Sequence, residues 1–406
     1  MMHTRPVATR SWTARRSSRV AGRTALVLAV GLALLGDVPE ADAQPQQRDT
    51  TILLEGGRFV RPDGTLEANP GILIAQGKIA AVGVGAVSVQ AASRRVQLET
   101  EAVISPGLIE LLTAVGGFHA NPERIEAIDA DANLRETIDP THRDLGRALA
   151  AGVTTVLVGG ARTNLVDGVA VAFRTALLDG ELDVLREDGP LLLGLGASVV
   201  AADRDPSSRA SAVEMLRALF VGDAPPNARI AALRQGKLDA LVWVGAEADL
   251  EVVLDLLATL ARRMPVVVPG RITRRGVEAL AGRADTVVVG PYSMADEREE
   301  IAGAARLAER GLGIAFSSDS QPYSPETLRT TAALAVRLGL APALARQALS
   351  AQPAAIAGIA GTVGTLTPGL EADVVVFSGD PLRLESRVEM VFVRGQRVAL
   401  ATDKRD

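Results

Sequence analysis

From Val103 to Phe316 the chain repeats one pattern, a short and continuously apolar β-rich run followed by a helical stretch. The clearest runs are Val103–Glu110, Thr154–Val158, Leu191–Leu195, Ala240–Val244, Val266–Val268, Thr286–Val289 and Gly313–Phe316, with a weaker one at Val169–Phe173. Helical periodicity marks Leu250–Arg263, Arg274–Ala281 and Arg298–Arg310. None of the strand runs alternates apolar with polar residues, so each must be covered on both faces, as strands of a parallel sheet are. Roughly 255 residues of such βα units is the usual size of an eight-stranded barrel. The predicted class is therefore α/β, a (β/α)8 TIM barrel over residues 104–361. A doubly wound open sheet is the alternative, but no Gly-x-Gly-x-x-Gly follows an early strand.

The two chain ends have a different texture. Thr51 to Gly83 reads as short strands punctuated by Gly56-Gly57, Asp63-Gly64 and Gln76-Gly77, the turn chemistry of hairpins. Val374–Phe377 and Val388–Val398, the latter broken at Arg394-Gly395, repeat that texture near the C-terminus. Residues 50–103 and 362–406 are thus expected to build one composite β-sandwich domain beside the barrel.

Residues 1–43 read as an export signal. Six arginines precede the apolar run Thr24–Gly36, and Ala41-Asp42-Ala43 offers a small-x-small cleavage site before Gln44. The apolar run is short for a bilayer span, so the expectation is an exported protein, periplasmic or extracellular, that does not span the membrane once the signal is removed. Arg15-Arg16 matches a twin-arginine signal only weakly. The chain has no cysteine, which removes every thiolate ligand and nucleophile. Its net charge is −5, and the part after the arginine-rich start is more acidic still, which argues against a nucleic-acid partner. The remaining partner expectations are a small-molecule ligand at the barrel mouth and room for a homo-oligomer.

Several motifs carry a family resemblance. Pro106-Gly107-Leu108-Ile109-Glu110 resembles the opening of the first barrel strand in the amidohydrolase superfamily, Pro-Gly-Leu-Ile-Asp-x-His-x-His. Gly152-Val153-Thr154-Thr155-Val156 is similar to the family's second strand, and Ala345–Gly358 to its Asn-Pro-Ala helix. The run from Gly364 to Phe377, then Gly379-Asp380-Pro381-Leu382, resembles its return to the small domain. Spaced in this order, the motifs look most like the exported imidazolonepropionase-like branch. The resemblance implies a hydrolase of non-peptide C–N bonds in which one or two divalent metals, such as zinc, activate water at the barrel mouth.

The metal-ligand positions that the resemblance implies are mostly filled by residues that cannot bind a metal. Leu112 and Ala114 stand where the first two histidines would be. Strand four ends Trp243-Val244-Gly245-Ala246-Glu247 without lysine, and Lys237 lies before that strand. Strands five and six end Val268-Pro269-Gly270 and Val289-Gly290-Pro291. Asp319, in Phe316-Ser317-Ser318-Asp319-Ser320, matches the last ligand. Even open zinc sites keep three protein ligands, so the expectation is no bound metal or other cofactor. After the signal only His119 and His142 remain. The candidate catalytic residue is Asp319, and His119 and Glu110 are the candidate substrate-binding residues. Ser317, Ser318 and Ser320 have no recognisable base, Gly194-x-Gly196 reads as a tight turn rather than an anion cradle, and Asp203-Arg204-Asp205-Pro206 reads as a turn rather than a carboxylate dyad. Two functions follow. One is a pseudoenzyme that keeps the fold for binding or partnering. The other is an active exported hydrolase using an atypical site of Asp319, Glu110 and His119.

Overall fold

The computed structural model describes residues 51–69, 71–83, 92–113, 115–116, 125–160, 162–223, 225, 227–260, 263–269, 272–318, 324 and 326–400. Residues 1–50, which include the expected export signal, and Ala114, His119 and Asp319 lie outside the described residues. The chain begins with seven strands, β1 (Ile52–Glu55), β2 (Arg58–Val60), β3 (Leu66–Ala68), β4 (Ile72–Ala75), β5 (Lys78–Val82), β6 (Arg94–Gln97) and β7 (Val103–Pro106). The central stretch comprises β8 (Leu108–Thr113), α1 (Arg143–Ala150), β9 (Val153–Val158), β10 (Val166–Val169), β11 (Val171–Leu178), β12 (Glu181–Arg186), β13 (Leu191–Leu195), α2 (Arg209–Val221), α3 (Ala228–Arg234) and β14 (Ala240–Val244). It continues through α4 (Leu250–Leu257), β15 (Val266–Pro269), α5 (Arg274–Leu280), β16 (Thr286–Gly290), α6 (Arg298–Ile301), α7 (Gly303–Glu309) and β17 (Gly313–Phe316). Helices α8 (Thr327–Arg337), α9 (Pro342–Ala348) and α10 (Ala351–Ala357) lead to β18 (Val374–Phe377), β19 (Val388–Val393) and β20 (Gln396–Val398).

The strands form four sheets. One has the order β5-β4-β1-β6, and a second, β20-β19-β18-β7-β2-β3, interleaves strands from both ends of the described chain. Apolar residues of these two sheets share a core, in which Ile52, Leu54, Ile72 and Ile74 meet Phe59, Ile104, Val374, Val376 and Phe392. The third sheet runs β10-β13-β14-β15-β16-β17 and the fourth β12-β11-β9-β8. From β13 to β17 every pairing is parallel with helices between the strands, and the apolar runs are buried on both faces as the sequence pattern requires. Inward, Ile109, Leu111, Leu157, Leu192, Leu241, Val267, Val288 and Ala315 gather in one cluster. Outward, Val156, Leu193, Val242, Val266 and Val289 pack against helix residues such as Leu216, Leu254 and Val277.

The regular repeat breaks between β9 and β13. The weak run Val169–Phe173 is part of a longer ribbon, in which β10 pairs antiparallel with β13 and β11 antiparallel with both β9 and β12. Only Ala170 separates β10 from β11, so this strand links the third and fourth sheets. Among the described residues no backbone ladder joins β17 to β8. The helical stretch 298–310 is likewise two pieces, α6 and α7, joined at Ala302.

Two local features connect the sheets. At Gly107 the chain passes from β7 in the second sheet to β8 in the fourth, so close to β9 that a Cβ would lie 1.9 Å from Thr154 Oγ1. The Pro-Gly of the sequence motif is thus explained by close backbone approach. On β11, Arg174 is only 1% exposed and donates to Asp373 (2.8 Å), Asp183 (2.6 Å) and Glu371 (2.6 Å). These bonds tie the β11–β12 ribbon to the residues just before β18. Helix starts follow the capping chemistry of the sequence, with Ser208, Asn227 and Thr273 accepting from Ser211, Ile230 and Arg275 backbone N–H groups. No helix of the described residues is long and apolar enough to cross a membrane.

Candidate functional site

The C-terminal ends of β8, β9, β13, β14 and β17 converge around a small polar cluster. Glu110, on β8, is completely buried, and its Oε1 accepts the Ser318 N–H at 2.7 Å. Ser317 Oγ donates to the Leu111 carbonyl at 2.7 Å. These two bonds hold the end of β17 against β8 where the ladder is missing. One step along, Leu112 has φ +52, the left-handed region that a branched side chain rarely occupies, and its side chain is buried. The Arg162 guanidinium donates to the Leu112 carbonyl at 3.3 Å.

Trp243 lies near the end of β14. Three glycines make room for its indole, because a Cβ on Gly194 would sit 3.2 Å from the ring and one on Gly196 or Gly245 only 2.8 Å from it. The Gly194-x-Gly196 motif is therefore a seat for an aromatic ring. Trp243 as a residue is half-buried, while its Nε1 is buried with no hydrogen-bond partner among the described residues.

Asp167 comes from β10. It accepts the Arg162 N–H at 3.0 Å, and Asn164 also bonds to its carboxyl. Burial pushes this carboxyl up to about 6, against the pull of those hydrogen bonds and of the Arg204 and Arg162 charges. Gly160 has no side chain here because a Cβ would meet Asp167 Cβ at 2.4 Å. Arg204 reaches back to Asn164 Oδ1 at 2.7 Å and to the Thr163 carbonyl. Leu112, Gly160, Arg162, Asp167, Gly194 and Trp243 border a cavity of about 20 Å3, enough for one water-sized group.

These residues do not fit a divalent-metal centre. Leu112 and Trp243 offer hydrocarbon and an N–H donor where a metal needs lone pairs. Glu247, the carboxylate just past β14, is engaged elsewhere, accepting from Thr273 N–H at 3.0 Å and from its hydroxyl at the start of α5. Lys237 is exposed before β14, at the opposite end of that strand. His142 Nδ1 accepts the Asp144 N–H at 3.3 Å as the cap of α1. Among the described residues no three His, Asp or Glu side chains gather in a way that could hold a metal.

Of the residues expected from sequence, Glu110 is thus placed at the strand ends, whereas Asp319 and His119 lie outside the described residues. Sequence reading missed Asp167, Arg162 and Trp243. The three glycines around Trp243 were the available signal, but their meeting depends on the register of β13 with β14, in which Gly194 faces Trp243.

Comparison with known proteins agrees with this architecture. Residues 244–398 match the amidohydrolase family model. The chain is 30% identical over 154 residues to an imidazolonepropionase of Chloroflexus aggregans, 37% of this chain and 34% of that protein. It is 29% identical over 127 residues to the imidazolonepropionase of Geobacillus kaustophilus, 30% of each chain. The matches span about a third of the length of those relatives. Among solved structures, an amidohydrolase from Thermotoga maritima superposes with a TM-score of 0.70 at 20% identity, covering 86% of this chain and 100% of the other. A protein from Bifidobacterium longum described as a prolidase gives 0.53 at 16% identity, covering 86% and 94%. The family match over residues 244–398, the partial matches to imidazolonepropionases and the shared fold together support a likeness of this chain to the amidohydrolase superfamily.

Proposed function

We propose that this protein is an amidohydrolase-fold pseudoenzyme whose strand-end site binds a small molecule without metal-dependent hydrolysis. The observation that carries the reading is the chemistry of the strand ends, where Leu112 stands at the first histidine position on β8 and the end of β14 carries the Trp243 indole and no lysine, so that neither gives a lone pair to a metal. In this reading the linked third and fourth sheets act as one (β/α)8 barrel, closed at β8 and β17 by the Glu110–Ser318 and Leu111–Ser317 hydrogen bonds. Residues 50–103 and 362–406 act as the composite β-sandwich. Residues 1–43 direct export, and N-terminal sequencing of the exported protein should begin at Gln44.

A second reading, an active exported C–N hydrolase working from Asp319, Glu110 and His119, draws on the imidazolonepropionases that the chain resembles. Elemental analysis of protein purified without chelator separates the two, together with turnover of a panel of amides and cyclic ureas. The pseudoenzyme should show neither stoichiometric metal nor turnover. About one zinc or manganese per chain, lost together with activity on chelation, would reverse the assignment.

A further inference from the structure

Residues 162–167 border the strand-end cavity in a shape that several features oppose. Arg162 has φ +59, and Leu112, whose carbonyl accepts the Arg162 guanidinium, has φ +52. Two residues with side chains thus hold the left-handed conformation where the two segments meet. Thr163 Oγ1 and Trp243 Nε1 are buried with no hydrogen-bond partner among the described residues, which is costly where water is excluded. Gly160 lies so close to Asp167 that a Cβ would meet its Cβ at 2.4 Å. Against these costs stand a few polar bonds. The Arg162 N–H donates to Asp167 at 3.0 Å, Ser198 Oγ to the Arg162 carbonyl at 2.6 Å, and Arg204 to Asn164 at 2.7 Å and to the Thr163 carbonyl. Strain and unpaired polar atoms balanced by so few bonds mark a segment with a second arrangement close in energy.

From these observations we infer that residues 162–167 form a latch on the strand-end cavity, closed while the Asp167 carboxyl is protonated and released when it ionises and turns to water. Asp167 sets the direction. In the closed form burial outweighs the hydrogen bonds and the Arg204 and Arg162 charges and lifts the carboxyl to about 6, whereas in a hydrated, open form it returns to 3.8. The closed form is therefore favoured in full below 3.8 and loses ground as pH rises through 6. The ratio of closed to open falls by about a hundredfold in all, about tenfold of it between pH 5 and pH 8. The segment that bridges to β10 carries Asp129 and Asp131, but the charges that act on this carboxyl are the two arginines. The walls from β8, β13 and β14, at Leu112, Gly194 and Trp243, do not titrate. The latch governs access to the site whose binding role is proposed above, and rests on that reading for its purpose alone.

Hydrogen exchange of the full chain tests this without any ligand, followed by NMR at pH 5 and pH 8 and corrected for the intrinsic rate at each pH. The Arg162 N–H should exchange faster than the Val242 N–H, which bonds Pro265 inside the parallel sheet, and with little dependence on urea, the mark of a local opening. Its protection should fall about tenfold from pH 5 to pH 8. The Trp243 indole N–H should follow it, in a Trp12→Phe background that leaves this the sole tryptophan. Asp167→Asn should abolish the pH dependence. Ser198→Ala removes a bond that does not titrate, so it should speed exchange about three- to tenfold at both pH values and keep the dependence. Protection that does not change with pH, a dependence that survives in Asp167→Asn, or Arg162 and Val242 exchanging at one rate would overturn the latch. Any of these would leave the proposed binding role untouched, since that is decided by metal content and turnover.

Discussion

Replacing Arg174 by Met should cost about 3–5 kcal/mol at neutral pH, the range for leaving a buried charge without its partner. The geometry says which charge is stranded. Arg174 makes three charge-assisted hydrogen bonds, to Asp373, Asp183 and Glu371. Asp183 and Glu371 are about a fifth to a quarter exposed and keep Arg394 at 3.7 Å, so water and a second cation soften their loss. Asp373 is only 2% exposed and would retain just one bond, from the Arg394 N–H at 2.9 Å to Oδ1. Burial already holds Asp373 above the usual carboxylate range, with Arg174 pulling the other way. Without the arginine that upward shift grows. A carboxyl whose folded pKa is raised contributes stability that is present in full below its unfolded pKa and is lost as pH rises through the folded one. The deficit of Arg174→Met should therefore be largest at pH 7.5 and shrink as pH falls and Asp373 takes up a proton. Adding Asp373→Asn should recover part of it, since the stranded charge is gone. Urea unfolding of wild type and both variants at pH 7.5 and pH 5 gives the comparison. A deficit below about 1 kcal/mol, or one that does not change with pH, would refute the claim that a buried ion cluster fastens the β11–β12 ribbon to the C-terminal strands.

Two further outcomes are expected. Gly107→Ala should destabilise the fold by several kcal/mol, about 3 or more, because its Cβ would fall 1.9 Å from Thr154 Oγ1; Gly361→Ala, with nothing within 4 Å, is the control, and comparable thermal midpoints for the two would contradict the packing argument. Asp167 has a folded pKa of about 6, so its contribution is present in full below the unfolded value of 3.8 and is lost as pH rises through 6; Asp167→Asn should gain about 2–3 kcal/mol at pH 8, with no gain at pH 3.5, as read from denaturant midpoints at the two pH values.

The sequence by itself determined the class of the fold. Continuous apolar runs such as LLLGL and TVVVG cannot rest with one face in water, so they had to become strands covered on both sides. The resemblance to the superfamily was legible too, because motifs such as Pro106-Gly107 mark places where the backbone must pass closely, and that demand falls on residue type. The antiparallel β10–β11–β12 ribbon was not legible. Val169–Phe173 is as apolar as its neighbours, and strand direction is set by the partners a strand finds rather than by its composition. The absence of suitable ligands at Leu112 and near Trp243 could be read directly, since a side chain without lone pairs cannot bind a metal anywhere. What those positions do instead only the tertiary structure decided. Asp167 and Trp243 lie 76 residues apart, and nothing local in either segment records that they line one cavity with Arg162. The glycines that seat the indole are spread over two strands, and Glu247 is drawn away to Thr273 by the packing of α5. Long-range register brings these groups together, and a one-dimensional pattern carries no term for it.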